Sequence, residues 1–232
     1  MTRLCRTVPA ALTLLTSTRQ NKPAPLQNAA TVAKPGWSAA AHAYPAFAVS
    51  QSDLLGKTES YEVLLHPEGG RRDVLRWMAG DKPAAELEIY RPGGEASRSG
   101  PPVAEIAGRM DPGGARELQS AGLIGSKFGA VALLGLIDRG GEPSCLGFIK
   151  RFDQPELRIS GWSCQGDTLP ARRAAIGCML DRLILLAAGN DAKLAGLFAR
   201  AELRRGECSS AAQARSADWV TGAQNPQLRG AL

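Results

Sequence analysis

Three short runs in the middle of the chain alternate apolar and polar residues with a period of two, and turn chemistry separates them. Tyr61 to His66 sets Tyr61, Val63 and Leu65 against Glu62 and His66. Val74 to Met78 carries Val74, Leu75 and Trp77, and Glu86 to Tyr90 sets Leu87 and Ile89 against Glu86, Glu88 and Tyr90. Between them lie Pro67-Glu68-Gly69-Gly70 and Gly80-Asp81-Lys82-Pro83. A two-residue period half-buries a strand, and Gly, Pro and Asp supply the turns, so a three-strand meander is the expected assembly.

Arg91-Pro92-Gly93-Gly94 ends this unit, and the stretch to Pro101-Pro102 reads as a loop. Val103 to Met110 and Gly114 to Ala121 are expected as short helices, the first with Val103, Ile106 and Ala107 on one side and Asp111-Pro112 stopping it. Strands then return. Phe128 to Ile137 is almost continuously apolar, as a central strand covered on both faces would be, and Cys145 to Phe152 and Leu157 to Cys164 flank Asp153-Gln154-Pro155-Glu156.

At the C-terminal end, Asp167 or Thr168 can cap a helix whose first turn contains Pro170, a position where a missing N–H costs nothing. Ile176, Met179, Leu180 and Leu183 form its apolar stripe. Gly189 then offers a left-handed cap, Asn190 or Asp191 starts a second helix burying Leu194, Leu197, Phe198 and Ala201, and Gly206 ends it. The expected class is therefore α+β: an antiparallel sheet built from two three-strand meanders and covered by a C-terminal helical hairpin.

With 232 residues, one sizeable domain is expected. Residues 1–52 hold five basic side chains and no acidic one, the first carboxylate being Asp53, whereas 23 basic residues face 22 acidic ones from there on. The positive balance thus belongs to a Pro-, Ala- and Ser-rich leader expected to be disordered or targeting. Its pattern suits a secretory signal, an organellar transit peptide or a start codon set too far upstream. Residues 53–206 are expected to form the single α+β domain and 207–232 a tail. Basic doublets such as Arg71-Arg72 and Arg204-Arg205 have carboxylates nearby and read as a solvated face, so no nucleic-acid partner is expected. No window reaches the roughly 18 uninterrupted apolar residues of a transmembrane span.

Cys5 lies in the leader, leaving Cys145, Cys164, Cys178 and Cys208. If the second set of strands closes about Gln154-Pro155, opposing residues sum to 309, and Cys145 faces Cys164. Trp162 then lies beside Gly147, and Leu146, Phe148, Phe152, Leu157 and Ile159 share the other face. Pro155 fits that turn poorly unless cis. A shifted register would separate the pair. Cys178 and Cys208 form the second candidate pair, because the chain can fold back after Gly206. The rival reading is reduced cysteine in a cytosolic protein. Zinc is disfavoured by the lack of a C-x-x-C pair or a neighbouring histidine, and no metal or cofactor is expected.

Gly161-Trp162-Ser163-Cys164-Gln165-Gly166 follows a strand and precedes a helix, the setting of a nucleophile elbow, which makes Ser163 and Cys164 the nucleophile candidates. The spacing misses the second glycine by one residue, and both histidines, His42 and His66, lie upstream. Gly122-Leu123-Ile124-Gly125-Ser126-Lys127 lacks the spacing and the residue order of a phosphate-binding loop and reads as a turn. No catalytic set is assigned.

Ser144-Cys145-Leu146-Gly147-Phe148-Ile149-Lys150-Arg151, Gly161 to Gly166 and Leu169-Pro170-Ala171-Arg172-Arg173-Ala174-Ala175-Ile176 resemble a group of uncharacterised alphaproteobacterial proteins. The resemblance covers roughly residues 53–232 and brings no assigned activity. Several members of that group carry a hydrophobic N-terminal anchor, which implies an envelope location; this chain departs from them in having a leader without a span. The expected function is a non-enzymatic, envelope-associated structural or interaction domain, periplasmic and disulfide-stapled, with a protein partner. The alternative is a cytoplasmic enzyme or small-ligand binder with a pocket between sheet and helical hairpin.

Overall fold

The computed structural model describes residues 36–50, 58–114, 118–136, 145–206 and 208. Among these residues, ten strands and three helices follow in order: β1 (Ser38–Ala39), β2 (Phe47–Val49), β3 (Thr58–Leu65), β4 (Arg71–Ala79), β5 (Lys82–Arg91), α1 (Pro102–Met110), β6 (Leu118–Ile124), β7 (Val131–Leu136), β8 (Leu146–Asp153), β9 (Glu156–Ser163), α2 (Leu169–Asp181), β10 (Leu183–Leu185) and α3 (Ala192–Glu202). A 3-10 turn spans Gly94–Arg98.

The protein is α+β with one large antiparallel sheet. Eight strands run in the order β1-β3-β4-β5-β9-β8-β7-β6, one continuous sheet joined where β5 pairs with β9. Two of the eight, β1 and β6, lie outside the six strands expected, and β6 is a correction. Residues 118–124, partly assigned to a helix by sequence, form the edge strand β6, whose register slips between Ser120 and Leu123. Residues 115–117 and Ile137 lie outside the described residues.

The helical hairpin is also corrected. A three-residue strand, β10, separates α2 from α3 and pairs antiparallel with β2, aligning Leu183 with Val49 and Leu185 with Phe47. Leu183 therefore leaves the α2 stripe yet stays fully buried. Of the alternative caps, Thr168 and Asp191 act: Thr168 Oγ1 accepts from Ala171 N at 3.3 Å, and the Asp191 carboxylate accepts from Leu194 N at 2.9 Å. Gly189, at φ 60°, introduces α3 rather than ending α2.

Residues 36–50 belong to the fold, although their composition placed them in the leader. Phe47 is fully buried against Phe198, and the Ala46 and Phe47 amides both donate to Tyr61 Oη, at 3.0 and 3.3 Å. The remaining leader, residues 1–35 and 51–52, and the tail apart from Cys208 lie outside the described residues.

Alternation divides the sheet into two differently covered faces. One carries Leu75, Trp77, Leu87, Ile89, Leu133, Phe148 and Ile159, packed beneath Ile176 and Leu180 of α2 and Leu194 and Phe198 of α3. This is the main core, and it fills the space between sheet and C-terminal helices. The opposite face is covered by α1 through a small cluster of Ile106, Met110, Leu136 and Trp162. The helix approaches closely because Gly147 offers no side chain: a Cβ there would lie 2.9 Å from Met110 Sδ and 3.0 Å from Ile106 Cγ2. Val103 is left 41% exposed, so the apolar stripe of α1 runs through Ile106 and Met110 rather than Val103 and Ala107.

At the β6 edge, the Arg173 guanidinium donates to the carbonyls of Ala121 and Leu123, both at 2.8 Å. At the opposite edge, β1 is two residues long.

Candidate functional site

The register of the sheet places charges in lateral rows on the α1 face. Arg72, Tyr90, Arg158 and Arg151 follow one another across β4, β5, β9 and β8. The next row is Val74, Glu88, Ser160 and Ile149, and the one beyond is Arg76, Glu86, Trp162 and Gly147. Alternating Glu86 and Glu88 resembles a solvated face in sequence. Here α1 lies over it, leaving Glu86 6% and Glu88 1% exposed.

Burying these carboxylates requires partners. Glu88 accepts from Arg109 at 2.8 Å and from Arg158 at 3.0 Å, with Arg72 at 3.5 Å and Ser160 Oγ at 3.4 Å. Glu105, on α1, accepts from Arg158 at 2.6 Å and Arg72 at 3.1 Å. Arg109 also reaches Glu86 at 3.1 Å, and Arg76 joins Glu86 at 2.8 Å to Glu62 at 2.7 Å. Four guanidiniums and four carboxylates thus close one network, and α1 is clamped to the sheet through Glu105 and Arg109. Burial alone would raise the Glu88 carboxyl, but Arg109, Arg72 and Arg158 outweigh it and hold the group below the usual carboxylate range.

One end of this face opens into a cleft of about 560 Å³ between the 92–102 segment and the β8–β9 hairpin. Pro92, Pro101, Pro102 and Tyr90 supply its apolar walls, and Arg151, Arg158, Asp153 and Glu156 its charges. The Tyr90 ring is flanked by Arg158 at 4.7 Å and Arg72 at 5.0 Å. Tyr90 Oη donates to Glu95 at 2.7 Å. Burial and that bond push its hydroxyl pKa up to about 12.

The cysteines stand as the register argument placed them. Every β8–β9 pair from Leu146↔Ser163 to Asp153↔Glu156 sums to 309, around a cis Gln154-Pro155 bond. Cys145 and Cys164 are at disulfide distance, with Cα atoms 4.1 Å apart, and so are Cys178 and Cys208, with Cα atoms 5.3 Å apart. Trp162 lies beside the first pair, on the α1 face.

The nucleophile candidates are placed elsewhere. Ser163 is 2% exposed on the core face opposite Ala85 and Leu146, and its Oγ accepts from Gln165 N at 3.2 Å. Cys164 is engaged with Cys145, and neither residue borders the cleft. His66 is at the far end of β3, where its Nδ1 accepts from Glu68 N at 3.2 Å and its ring packs on Trp37. Lys127 is fully buried and donates to the Leu183 carbonyl and Glu202, so it acts as an internal brace and not as the lysine of a phosphate loop. Burial lowers its ammonium pKa. Among the described residues, no three His, Cys, Asp or Glu side chains gather as a metal site, and no helix is long and apolar enough to cross a membrane.

Sequence reasoning missed Arg151, Arg158 and the Glu88 network. The available signal was the opposite charge of Arg76 on β4 and Glu86 on β5, which face each other across the pair. No protein-family model, no curated protein and no solved structure matches the chain.

Proposed function

We propose that this chain is a disulfide-stapled interaction domain of the bacterial envelope, periplasmic in location, which recognises a partner through the cleft beside Tyr90 and does no chemistry on it. The observation that carries the reading is the pairing of all four cysteines after the leader, Cys145 with Cys164 and Cys178 with Cys208. Stable disulfides form outside the reducing cytosol, and two in one domain favour an oxidising compartment. Support for recognition over turnover comes from the lining: Arg158 is bound up with Glu88 and Glu105, and the charges that remain stand at the cleft's rim.

Among the described residues, core side chains of α2, α3 and the sheet pack together where the alternative reading would put its pocket, which favours the cleft. The test is thiol titration with mass spectrometry on protein purified under native conditions, then denatured without reductant. No reactive thiol at Cys145, Cys164, Cys178 or Cys208 is the expected result. Four reactive thiols there would overturn the compartment assignment.

A further inference from the structure

The β8–β9 hairpin breaks a rule of antiparallel pairing twice in succession. Arg151 stands directly opposite Arg158, and one row on, Asp153 stands directly opposite Glu156. Like charges directly opposed destabilise a hairpin, and exchanging one residue of each pair would have produced two attractive pairs instead. Both rows line the same cleft. Glu88 and Glu105 neutralise Arg158 from behind, but among the described residues Arg151, Asp153 and Glu156 have no ion-pair partner. The cleft therefore carries a fixed dipole, positive at Arg151 on the Arg151–Arg158 row and negative on the Asp153–Glu156 row, with apolar walls of Pro92, Pro101 and Tyr90 facing it.

We infer that this cleft binds a short zwitterionic peptide of dipeptide length, its C-terminal carboxylate on the Arg151–Arg158 row and its N-terminal ammonium on the Asp153–Glu156 row. The spacing selects the length. The two rows are two residues apart along each strand, about 7 Å at strand rise, which is the span of two extended residues. A single free amino acid spans only about half that row spacing. The carboxylate has a fork of guanidinium donors to meet, the geometry Arg presents to that group. The volume of about 560 Å³ lies within the range of small-ligand sites. The inference rests on the cleft being the recognition site proposed above, and it is independent of the compartment.

The experiment is titration calorimetry of the full chain with Ala-Ala, N-acetyl-Ala-Ala, Ala-Ala amide and free alanine, repeated with Arg151→Gln and with Asp153→Asn/Glu156→Gln. These three side chains are exposed at the hairpin end, so the variants retain the wild-type fold, checked by circular dichroism. Saturable Ala-Ala binding is expected, weakened at least tenfold by blocking either terminus or by removing the second residue. R151Q should bind Ala-Ala no better than it binds the amide, and D153N/E156Q no better than it binds the acetylated peptide. Equal affinity for all four probes, or no binding of Ala-Ala at millimolar concentration, would overturn the inference. Binding of N-acetyl-Ala-Ala as tight as Ala-Ala would overturn the zwitterion while leaving the cleft as a recognition site. The thiol titration reads the compartment separately.

Discussion

Replacing Glu88 by glutamine removes one charge from the centre of the α1 face with almost no change in shape. Four guanidiniums would then face three carboxylates, leaving one positive charge in excess beneath a helix. Removing one partner of a buried pair costs about 3–5 kcal/mol because the other charge stays desolvated. The low end applies here: Arg72 and Arg158 keep Glu105, and Arg109 keeps Glu86, so the excess is shared. About 3 kcal/mol is expected, equivalent to a melting-point fall of roughly 6–12 °C for a domain of this size. Urea denaturation at pH 7 with an unchanged slope reads it. The pH dependence supplies the decisive control. Because the folded pKa of Glu88 is lowered, its contribution is complete above the unfolded value of about 4.3 and fades as pH falls through the folded value. The E88Q deficit should therefore shrink between pH 5 and pH 3. A loss below about 1 kcal/mol at pH 7, the worth of an exposed pair, or a deficit unchanged at pH 3, would refute the argument.

Three further outcomes are expected. Phe47→Ala should cost about 3–5 kcal/mol, the usual result of emptying a buried phenylalanine site, because Phe47 is fully buried against Phe198; a change under 1 kcal/mol in urea melts would show that residues 36–50 are dispensable to the core. Gly161→Ala should cost about 3 kcal/mol by overpacking, since its Cβ would overlap the Glu86 carbonyl oxygen and lie 2.8 Å from Phe148 Cζ; wild-type stability would contradict the β5–β9 register. Tyr61 and Tyr90 both have raised hydroxyl pKa values, burial being the larger cause in each, so their contribution to stability is complete below about pH 10 and lost as pH rises through the folded values. Absorbance at 295 nm should show two of the three tyrosines ionising only with alkaline unfolding, and early ionisation of all three would contradict this.

What the sequence showed and what it hid divide on physical lines. The β8–β9 register was legible because a hairpin with a two-residue turn fixes every pair once its centre is found, and Trp162 beside Gly147 then follows. The caps at Thr168 and Asp191 were legible because capping is a local competition for a few N–H groups. β6 was hidden by its bulge, which breaks the two-residue period that betrays a strand. β10 was hidden because Leu183-Ile184-Leu185 continues the apolar pattern of α2, and its partner β2 lies 132 residues away along the chain at Ser50 and Arg182. Phe47 was hidden by averaging, since one aromatic residue does not alter a leader's composition. The cleft was hidden for a different reason: its charges come from rows across the sheet, and only the β5–β9 pairing brings Tyr90 beside Arg158.

The two open margins of the eight-stranded sheet are guarded unequally. On one side β1 pairs with only Leu64 and Leu65 of the eight-residue β3, and on the other Arg173 spends its guanidinium on the Ala121 and Leu123 carbonyls that an incoming ribbon would need. The β6 margin should consequently resist lateral pairing with a second copy, and loss of that one arginine should expose it.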